Sequence, residues 1–214
     1  MLIDMHLHTK PRSPCSNMTP EDAVREAIDI GLDSIVITEH NLCWKKDELD
    51  DLRQKFDEII IFNAIEVTAI EGDILIYNFY TEDKIDDLPK AQELRDRIGE
   101  DKSKFMAVAH PFREFLVVGI GSLGIDMDEL LSRPIFGIVD GVETRNGQVS
   151  KKANRLANTV CKKKGLHPVG GSDAHELAQI GACVTEFKSN DIKNQVDLVK
   201  ELYKGNYEVK YFRK

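Results

Sequence analysis

Five of the six histidines follow predicted β-strands, where imidazoles could gather around metal ions. His6 and His8 come directly after the first predicted strand, and His40 comes after the second. His110 comes directly after a later strand, and His175 lies shortly after the last one. In parallel α/β architectures the carboxyl ends of the strands form one ligand-binding face. The sequence therefore predicts that these five imidazoles meet at one site.

Each motif alone has an ordinary interpretation. His6 and His8 lie two residues apart, so on an extended chain both imidazoles point to the same side and can reach one ion. Glu66 lies between Ile65 and Val67, and a buried carboxylate there must be paired or bound to metal. If Glu66 instead lies at the edge of a loop, an ordinary salt bridge would explain it without a metal. A single His-Pro pair, such as the one at His110, is typical of a turn.

A second carboxylate and a further imidazole occur together in Gly170-Gly171-Ser172-Asp173-Ala174-His175. The glycines allow the backbone to approach an ion closely. Mixed nitrogen and oxygen ligands suit Zn, Mn or Fe better than Mg or Ca. Two or more ions that share a bridging carboxylate can stabilise the attacking and leaving oxygens of a displacement reaction. They also lower the pKa of bound water and so activate it. Hydrolysis is therefore the expected reaction class.

Composition and charge limit the classes of protein to which this chain can belong. The chain has 214 residues, is 42% hydrophobic and carries a formal charge of -8 with a pI near 5.3. We expect a single domain over 1–214 with no extended nucleic-acid surface. No apolar run approaches the roughly 18–20 residues of a membrane span, and no signal peptide is recognisable, so we expect a cytoplasmic protein without a membrane partner. The four cysteines form no CxxC pair, which disfavours a zinc ribbon or disulfide framework.

Short β-rich runs alternate with amphipathic segments along the chain. Strands are predicted at 2–5, 34–38, 59–64, 74–80, 105–109, 141–143 and 168–170. Helices are predicted at 20–30, 46–56, 88–97, 127–131 and 150–164. This alternation favours right-handed βαβ units, a mostly parallel sheet and a closed or distorted α/β barrel over an open doubly wound sheet. The mixed segment 113–124 is predicted as a loop or lid.

Four short motifs in order resemble those of the PHP family, named for its polymerase and histidinol phosphatase members. They are Asp4-Met5-His6-Leu7-His8-Thr9, Thr38-Glu39-His40-Asn41, Ala109-His110-Pro111-Phe112 and Gly171-Ser172-Asp173-Ala174-His175. Glu66-Val67-Thr68 fits the bridging acid of the family. The resemblance implies a distorted seven-stranded (β/α) barrel with a trinuclear metal centre that most often hydrolyses phosphoesters, and it is closest to small stand-alone members.

The resemblance also implies a set of ligands. His6, His8, Glu66 and Asp173 would hold one ion. Glu66 and His110 would hold a second ion, and His40 and His175 a third. Glu66, Asp173 and His175 would act in catalysis through the bound metals.

Two positions depart from the family pattern. Many relatives have an aspartate after the first motif, where this chain has Cys15 in a Ser-Pro-Cys-Ser segment. The third ion would then use a Cys15 thiolate, or bind weakly or not at all. Relatives often have a histidine shortly after the bridging glutamate, where Asp73 stands here. Asp73 would be an oxygen ligand that favours Mn, or a solvated turn residue.

Several basic residues lie near the predicted metal loops, where they could hold a phosphate oxygen. Arg12, Arg113 and Arg145 are predicted substrate ligands, although each could be an ordinary surface charge. Glu143 and Asn146 are predicted to support the metals or the substrate.

The leading hypothesis is a phosphoesterase with two or three divalent ions (Zn, Mn or Fe) that acts on a small phosphorylated metabolite. Two alternatives remain open: amidohydrolase-like cleavage of a non-phosphate bond, and a degenerate metal-binding regulatory domain. The substrate and the oligomeric state do not follow from the sequence.

Overall fold

The computed structural model describes residues 1–85, 87–113 and 126–213. Apart from Arg113, the loop or lid predicted at 113–124 lies outside the described residues. Nine strands form one sheet within the described ranges: β1 (Leu2–Leu7), β2 (Ser34–His40), β3 (Ile60–Ala69), β4 (Gly72–Tyr77), β5 (Phe105–Val108), β6 (Gly141–Asn146), β7 (His167–Gly171), β8 (Cys183–Phe187) and β9 (Tyr207–Tyr211).

Six helices are present in the same ranges: α1 (Pro20–Asp29), α2 (Lys46–Lys55), α3 (Ala91–Ile98), α4 (Met127–Ser132), α5 (Lys151–Lys164) and α6 (Gln195–Lys204). Their boundaries follow from local chemistry. Thr19 caps α1 by accepting a hydrogen bond from the backbone N–H of Asp22, and Pro20 occupies the first turn. Gly165 ends α5 in the left-handed conformation. No helix in the described ranges is long and apolar enough to cross a membrane.

The sheet is a mixed one, which corrects two expectations. The strand order is β7-β6-β5-β4-β3-β2-β1-β8-β9, so the described chain has nine strands rather than the expected seven. Four of the described pairings are parallel and four are antiparallel. The expected mostly parallel sheet is therefore wrong. A tight turn after Ala69 joins β3 to β4 as a hairpin, and the C-terminal β8 and β9 were not predicted.

The edge strand β7 approaches β1, so that the sheet is nearly closed. Leu7 forms an isolated bridge with Ala174, just beyond β7. The backbone N–H of Asp173 donates to His6 O at 2.7 Å, and the N–H of His8 donates to Ala174 O at 3.0 Å. The chain after β7 thus lies directly against the end of β1, which brings the first and last sequence motifs together.

Aliphatic residues fill the space around this sheet. Ile3, Met5, Val36 and Leu75 are completely buried on one face, and Ile35 and Ile37 are buried on the other face against α1 and α2. Burying such side chains contributes on the order of 1.5–3 kcal/mol each. The packed core therefore holds the strand ends rigidly with respect to each other.

Candidate metal centre

The end of β1 carries two fully buried imidazoles. His6 and His8 are both inaccessible to solvent, and their Nε2 atoms lie 3.0 Å apart. The Nδ1 of His6 lies 2.9 Å from a carboxylate oxygen of Glu143, and the Nδ1 of His8 lies 3.3 Å from the hydroxyl of Ser13. Both imidazoles therefore present Nε2 to the same point.

Glu66 lies at the centre of the site and faces ligands on both of its oxygens. Oε1 is 3.1 Å from His110 Nε2 and 3.5 Å from His6 Nε2. Oε2 is 3.2 Å from His8 Nε2 and 3.1 Å from His40 Nδ1. Burial opposes ionisation of Glu66, but the charge of His6 and the hydrogen bond between His110 and Oε1 outweigh it and hold its pKa well below the usual value.

Asp173 reaches the same centre from the chain just after the edge strand β7. Its Oδ1 is 3.3 Å from His8 Nε2 and 3.5 Å from His6 Nε2. Asp173 and His110 both have positive φ, at 54° and 26°. Such conformations cost about 1–3 kcal/mol and are concentrated at functional sites, where the surrounding structure imposes them. The fold therefore directs these two side chains inward at the expense of backbone strain.

A glycine permits this close approach. A Cβ on Gly171 would lie 2.4 Å from His6 Cβ and 2.5 Å from His6 N. The backbone after β7 could not lie against β1 if this residue carried a side chain. Gly171 thus sets the distance between Asp173 and the two histidines of β1.

Glu143 and Asn146, predicted as supporting residues, contact the centre from β6. Glu143 is buried; its Oε1 faces His6, and its Oε2 accepts from the backbone N–H of His110 at 2.8 Å. Asn146 Nδ2 donates to Glu143 at 2.9 Å and to Asp173 Oδ2 at 3.1 Å. Burial alone would lower the pKa of His6, but Glu143 and Glu66 raise it to about 10.

Three groups of described residues could each hold one ion, since their ligand atoms lie within 4.8 Å of one another. They are His6, His8 and Asp173; Glu66, Asp73 and His110; and His8, His40 and His175. Eight of the nine predicted ligands are thus brought together. Cys15, the ninth, is absent from the groups that the described residues form.

The polar atoms of the site fit a bound cation. Glu66 Oε2 is buried and accepts no hydrogen bond from any described residue, although two imidazole nitrogens face it. The Nε2 atoms of His6 and His8 also face each other and the carboxylates of Glu66 and Asp173. Such a concentration of acceptors is unfavourable without a proton or a positive ion among them. Nitrogen and oxygen donors of this kind are those that Zn, Mn and Fe prefer.

The pocket has a buried floor and a more open rim. We define the floor as His6, His8, Glu66, Glu143 and Asp173, whose side chains are at most 1% exposed. We define the rim as His40, Asp73 and His175, whose side chains are 34%, 32% and 26% exposed. Ions at the floor would be shielded from water, whereas an ion at the rim would be more exposed to solvent.

The pKa values of His175 and Cys15 bear on the third ion. Burial and the neighbouring histidines lower the pKa of His175 to about 4, so its imidazole is neutral and able to bind metal at pH 7. Partial desolvation and the carboxylates Glu39 and Glu66 raise the pKa of the Cys15 thiol. A raised pKa disfavours the thiolate that a metal needs.

Two of the three predicted substrate residues line cavities beside the metal ligands. Arg113 contacts the carboxylate of Asp173 and, with Asp73 and His110, lines a cavity of about 410 Å³. Arg12 lines a second cavity of about 570 Å³ beside His40. Its guanidinium lies 4.2 Å from the ring of Trp44 and pairs with Glu48.

Arg145 is not brought to the metal ligands. Its guanidinium lies 5.4 Å from the ring of Tyr211 and donates to the backbone oxygen of Thr144. An irregularity in the β6–β7 register between Glu143 and Arg145 explains this placement. In a regular strand residues 143 and 145 would share a face, but the bulge directs Arg145 outward.

Sequence reasoning missed three residues that support the site. Asp4 is buried and accepts from the backbone N–H groups of Ser172 and Gly181 at 2.8 and 2.9 Å, which ties β1 to the chain after β7. Glu39 is buried behind His8, and Arg133 lines the cavity beside Arg113. Asp4 and Glu39 lie inside the recognised motifs, so their buried strand positions were an available signal. Arg133 lies in a segment without a motif.

Comparisons with known proteins found one matching family model. Residues 151–207 match a family model described as PHP-associated. No curated protein sequence matches the chain.

Three solved structures are similar over nearly the whole chain. PsfC from Pseudomonas syringae is 16% identical with a TM-score of 0.66, and the match covers 100% of this chain and 91% of that one. A two-domain protein from Bacteroides vulgatus, containing a predicted PHP-like metal-dependent phosphoesterase, is 19% identical with a TM-score of 0.70; the match covers 99% of this chain and 65% of that one. A candidate metal-dependent phosphoesterase from Bifidobacterium adolescentis is 15% identical with a TM-score of 0.59, covering 95% and 96%. At these identities the likeness establishes a common fold.

Proposed function

We propose that this chain is a PHP-like metal-dependent phosphoesterase that hydrolyses a small phosphorylated metabolite. The proposal rests chiefly on the position of Glu66. Its two carboxylate oxygens face all three groups of candidate ligands, so one buried side chain can bridge neighbouring ions. Clusters of this kind are suited to in-line displacement at phosphorus.

Each ion would have its own set of protein ligands. His6, His8, Glu66 and Asp173 would hold the ion at the floor. Glu66, Asp73 and His110 would hold a second ion, and His40 and His175 a third, because the single free lone pair of His8 can bind only one ion. Bound divalent ions lower the pKa of water and neutralise the charge that develops on a phosphate.

The chain's own cations would bind and orient the phosphate group. Arg113 and Arg133 line the cavity beside Asp73 and His110, and a guanidinium can hold two phosphate oxygens at once. Arg12 lines the cavity on the opposite side, next to His40. These cavities, of about 410 and 570 Å³, are large enough for a small phosphorylated metabolite.

The test combines elemental analysis of the purified full chain with assays of three aryl substrates: a phosphate monoester, a phosphate diester and a carboxylic amide. Turnover of a phosphate ester that depends on added Mn and is abolished by chelator would support the proposal. Two or three bound ions with cleavage of the amide alone would establish the amidohydrolase-like alternative instead. Metal binding without turnover of any substrate would favour a regulatory domain.

Asp173→Asn provides a matched control, because it keeps the shape of the side chain but removes a charged ligand. It should lower both metal content and phosphate-ester turnover. Activity that persists in this variant at the wild-type level would indicate a contaminating phosphatase.

A further inference from the structure

Behind His8 lies a buried carboxylate that the metal groups do not include. Glu39 is fully inaccessible to solvent, and both of its oxygens accept hydrogen bonds. Oε1 accepts from the indole N–H of Trp44 at 3.0 Å and from the Thr9 hydroxyl. Oε2 accepts from the backbone N–H of Thr9 at 3.1 Å and from the Ser13 hydroxyl at 2.5 Å. A buried charge surrounded by donors in this way is held in one geometry.

The hydrogen bonds of Ser13 fix the direction of its hydroxyl proton. A carboxylate oxygen accepts but does not donate, so the Ser13 O–H must point at Glu39. The lone pairs of Ser13 Oγ then face the backbone N–H of His40 at 3.2 Å and the Nδ1 of His8 at 3.3 Å. Nδ1 of His8 must therefore carry the proton, and its Nε2 keeps a free lone pair.

We propose that Glu39 is a positioning residue that fixes the tautomer and orientation of His8 for metal binding through the hydroxyl of Ser13. The neighbouring ligand His6 is oriented more directly, by a 2.9 Å contact between its Nδ1 and Glu143. The two imidazoles of β1 thus present the same nitrogen to the metals by different routes. Outer partners of this type typically change metal affinity about 10- to 100-fold.

The loop after β1 is folded to place the serine. Ser13 N–H donates to Thr9 O at 2.9 Å, Ser16 N–H donates to Ser13 O at 2.9 Å, and Ser16 Oγ donates to His8 O at 2.9 Å. Ser13 also binds the N–H of His40, so it connects a floor ligand to a rim ligand. The inference rests on the proposed metal centre but not on the proposed reaction.

Ser13→Ala tests the relay most cleanly, because it leaves Glu39 with its Thr9 and Trp44 partners. We expect a loss of Zn affinity of about 10- to 100-fold in a titration of the full chain against a competing chelator. Ser13→Thr keeps the hydroxyl and should retain most of the affinity. Ser34→Ala is the matched control: Ser34 is buried at the opposite end of β2, and its hydroxyl has no hydrogen-bond partner among the described residues.

A spectroscopic measurement separates positioning from general destabilisation. Long-range ¹H–¹⁵N correlations of the metal-free full chain at pH 8 should show His8 with the proton on Nδ1. The Nε2–H form should become populated in Ser13→Ala but not in Ser34→Ala. Glu39→Gln should weaken Zn binding as well, because either orientation of the amide places its NH₂ against an N–H donor, from Thr9 or Trp44.

The outcomes are distinguishable from those of the activity assay, since no substrate is present. Wild-type Zn affinity and an unchanged His8 tautomer in Ser13→Ala would overturn the proposal even if the protein is a phosphoesterase. An equal loss of affinity in Ser13→Ala and Ser34→Ala would also overturn it, by assigning the effect to lost stability.

Discussion

The floor and the rim of the pocket use the same kinds of side chain but support them differently. At the floor, His6 is backed by Glu143 and His8 by Ser13, and both imidazoles are inaccessible to solvent. At the rim, about a third of the side chain of His40 or Asp73 is exposed. Water competes for exposed ligands, and it screens their charges.

We therefore expect the floor and the rim to bind ions with different affinity and exposure. A desolvated, supported ligand set favours tight and permanent binding of an ion. A partly hydrated set leaves coordination positions open for a substrate. We therefore expect substitutions at the floor to affect all bound metal and substitutions at the rim to affect one ion.

The largest effect should come from removing a floor ligand. His8 belongs to two of the three ligand groups, and Asp173 contacts both histidines of β1. His8→Ala and Asp173→Ala should each lose most of the bound metal while the protein stays folded, as measured by elemental analysis and circular dichroism. Full metal content in both variants would refute the assignment of the floor.

A rim substitution should remove one ion and leave the others. His175→Ala takes one imidazole from the group of His8, His40 and His175. We expect the metal content to fall by about one ion per chain, and phosphate-ester turnover to fall by about 10- to 100-fold. Cys15→Ser is the matched comparison and should keep the wild-type metal content, because Cys15 is not in that group. An equal loss of metal in Cys15→Ser would indicate that the Cys15 thiolate is a ligand.

Gly171→Ala tests how the end of β7 is held against β1 at the floor. The new methyl group would lie 2.4–2.5 Å from His6 atoms, so the backbone must move. Overpacking of this kind costs about 1–3 kcal/mol in the free energy of unfolding and should also weaken metal binding. Gly137→Ala, where no described atom lies within 4 Å of the new Cβ, should leave both unchanged. Urea unfolding of the two variants measures the difference.

The smallest effect concerns the pH dependence of the metal-free protein. The pKa of His6 is raised from 6.5 to about 10, so the folded state retains a proton that the unfolded chain releases. The stability contributed by this proton is complete below pH 6.5 and is lost as the pH rises toward 10. The melting temperature of the chelator-treated protein should therefore fall between pH 7 and pH 9.

The metal-loaded protein serves as the comparison for this effect, because a bound cation there replaces the proton of His6. Other groups that titrate in this pH range, such as the cysteines, do so in both forms. The gap between the two melting temperatures should widen from pH 7 to pH 9. A constant gap would contradict the protonation of His6.

Much of the site could be predicted because its ligands lie at strand ends within short motifs. The prediction brought together eight described residues, from His6 to His175, that the structure places within one pocket. The supporting residues were harder to identify. A buried glutamate such as Glu39 resembles any other motif residue until its hydrogen-bond partners are known, and Arg133 has no sequence signal.

The sheet was predicted less well than the site. The alternation of strands and helices correctly indicated an α/β fold, but β8 and β9 were missed. Whether two strands pair in parallel depends on the connection between them, and the turn between β3 and β4 was too short for a crossover. The predicted and the observed fold thus share the α/β class, but they differ in the number and direction of the strands.

By itself the sequence determined which side chains can bind metal, because ligand chemistry is a property of residue type and local spacing. Only the tertiary structure decided which of them meet and which face water. Arg145 and Glu143 are two residues apart, yet a bulge in β6 sends one outward and the other to His6. Such orientations depend on register and packing between distant segments, which local sequence does not specify.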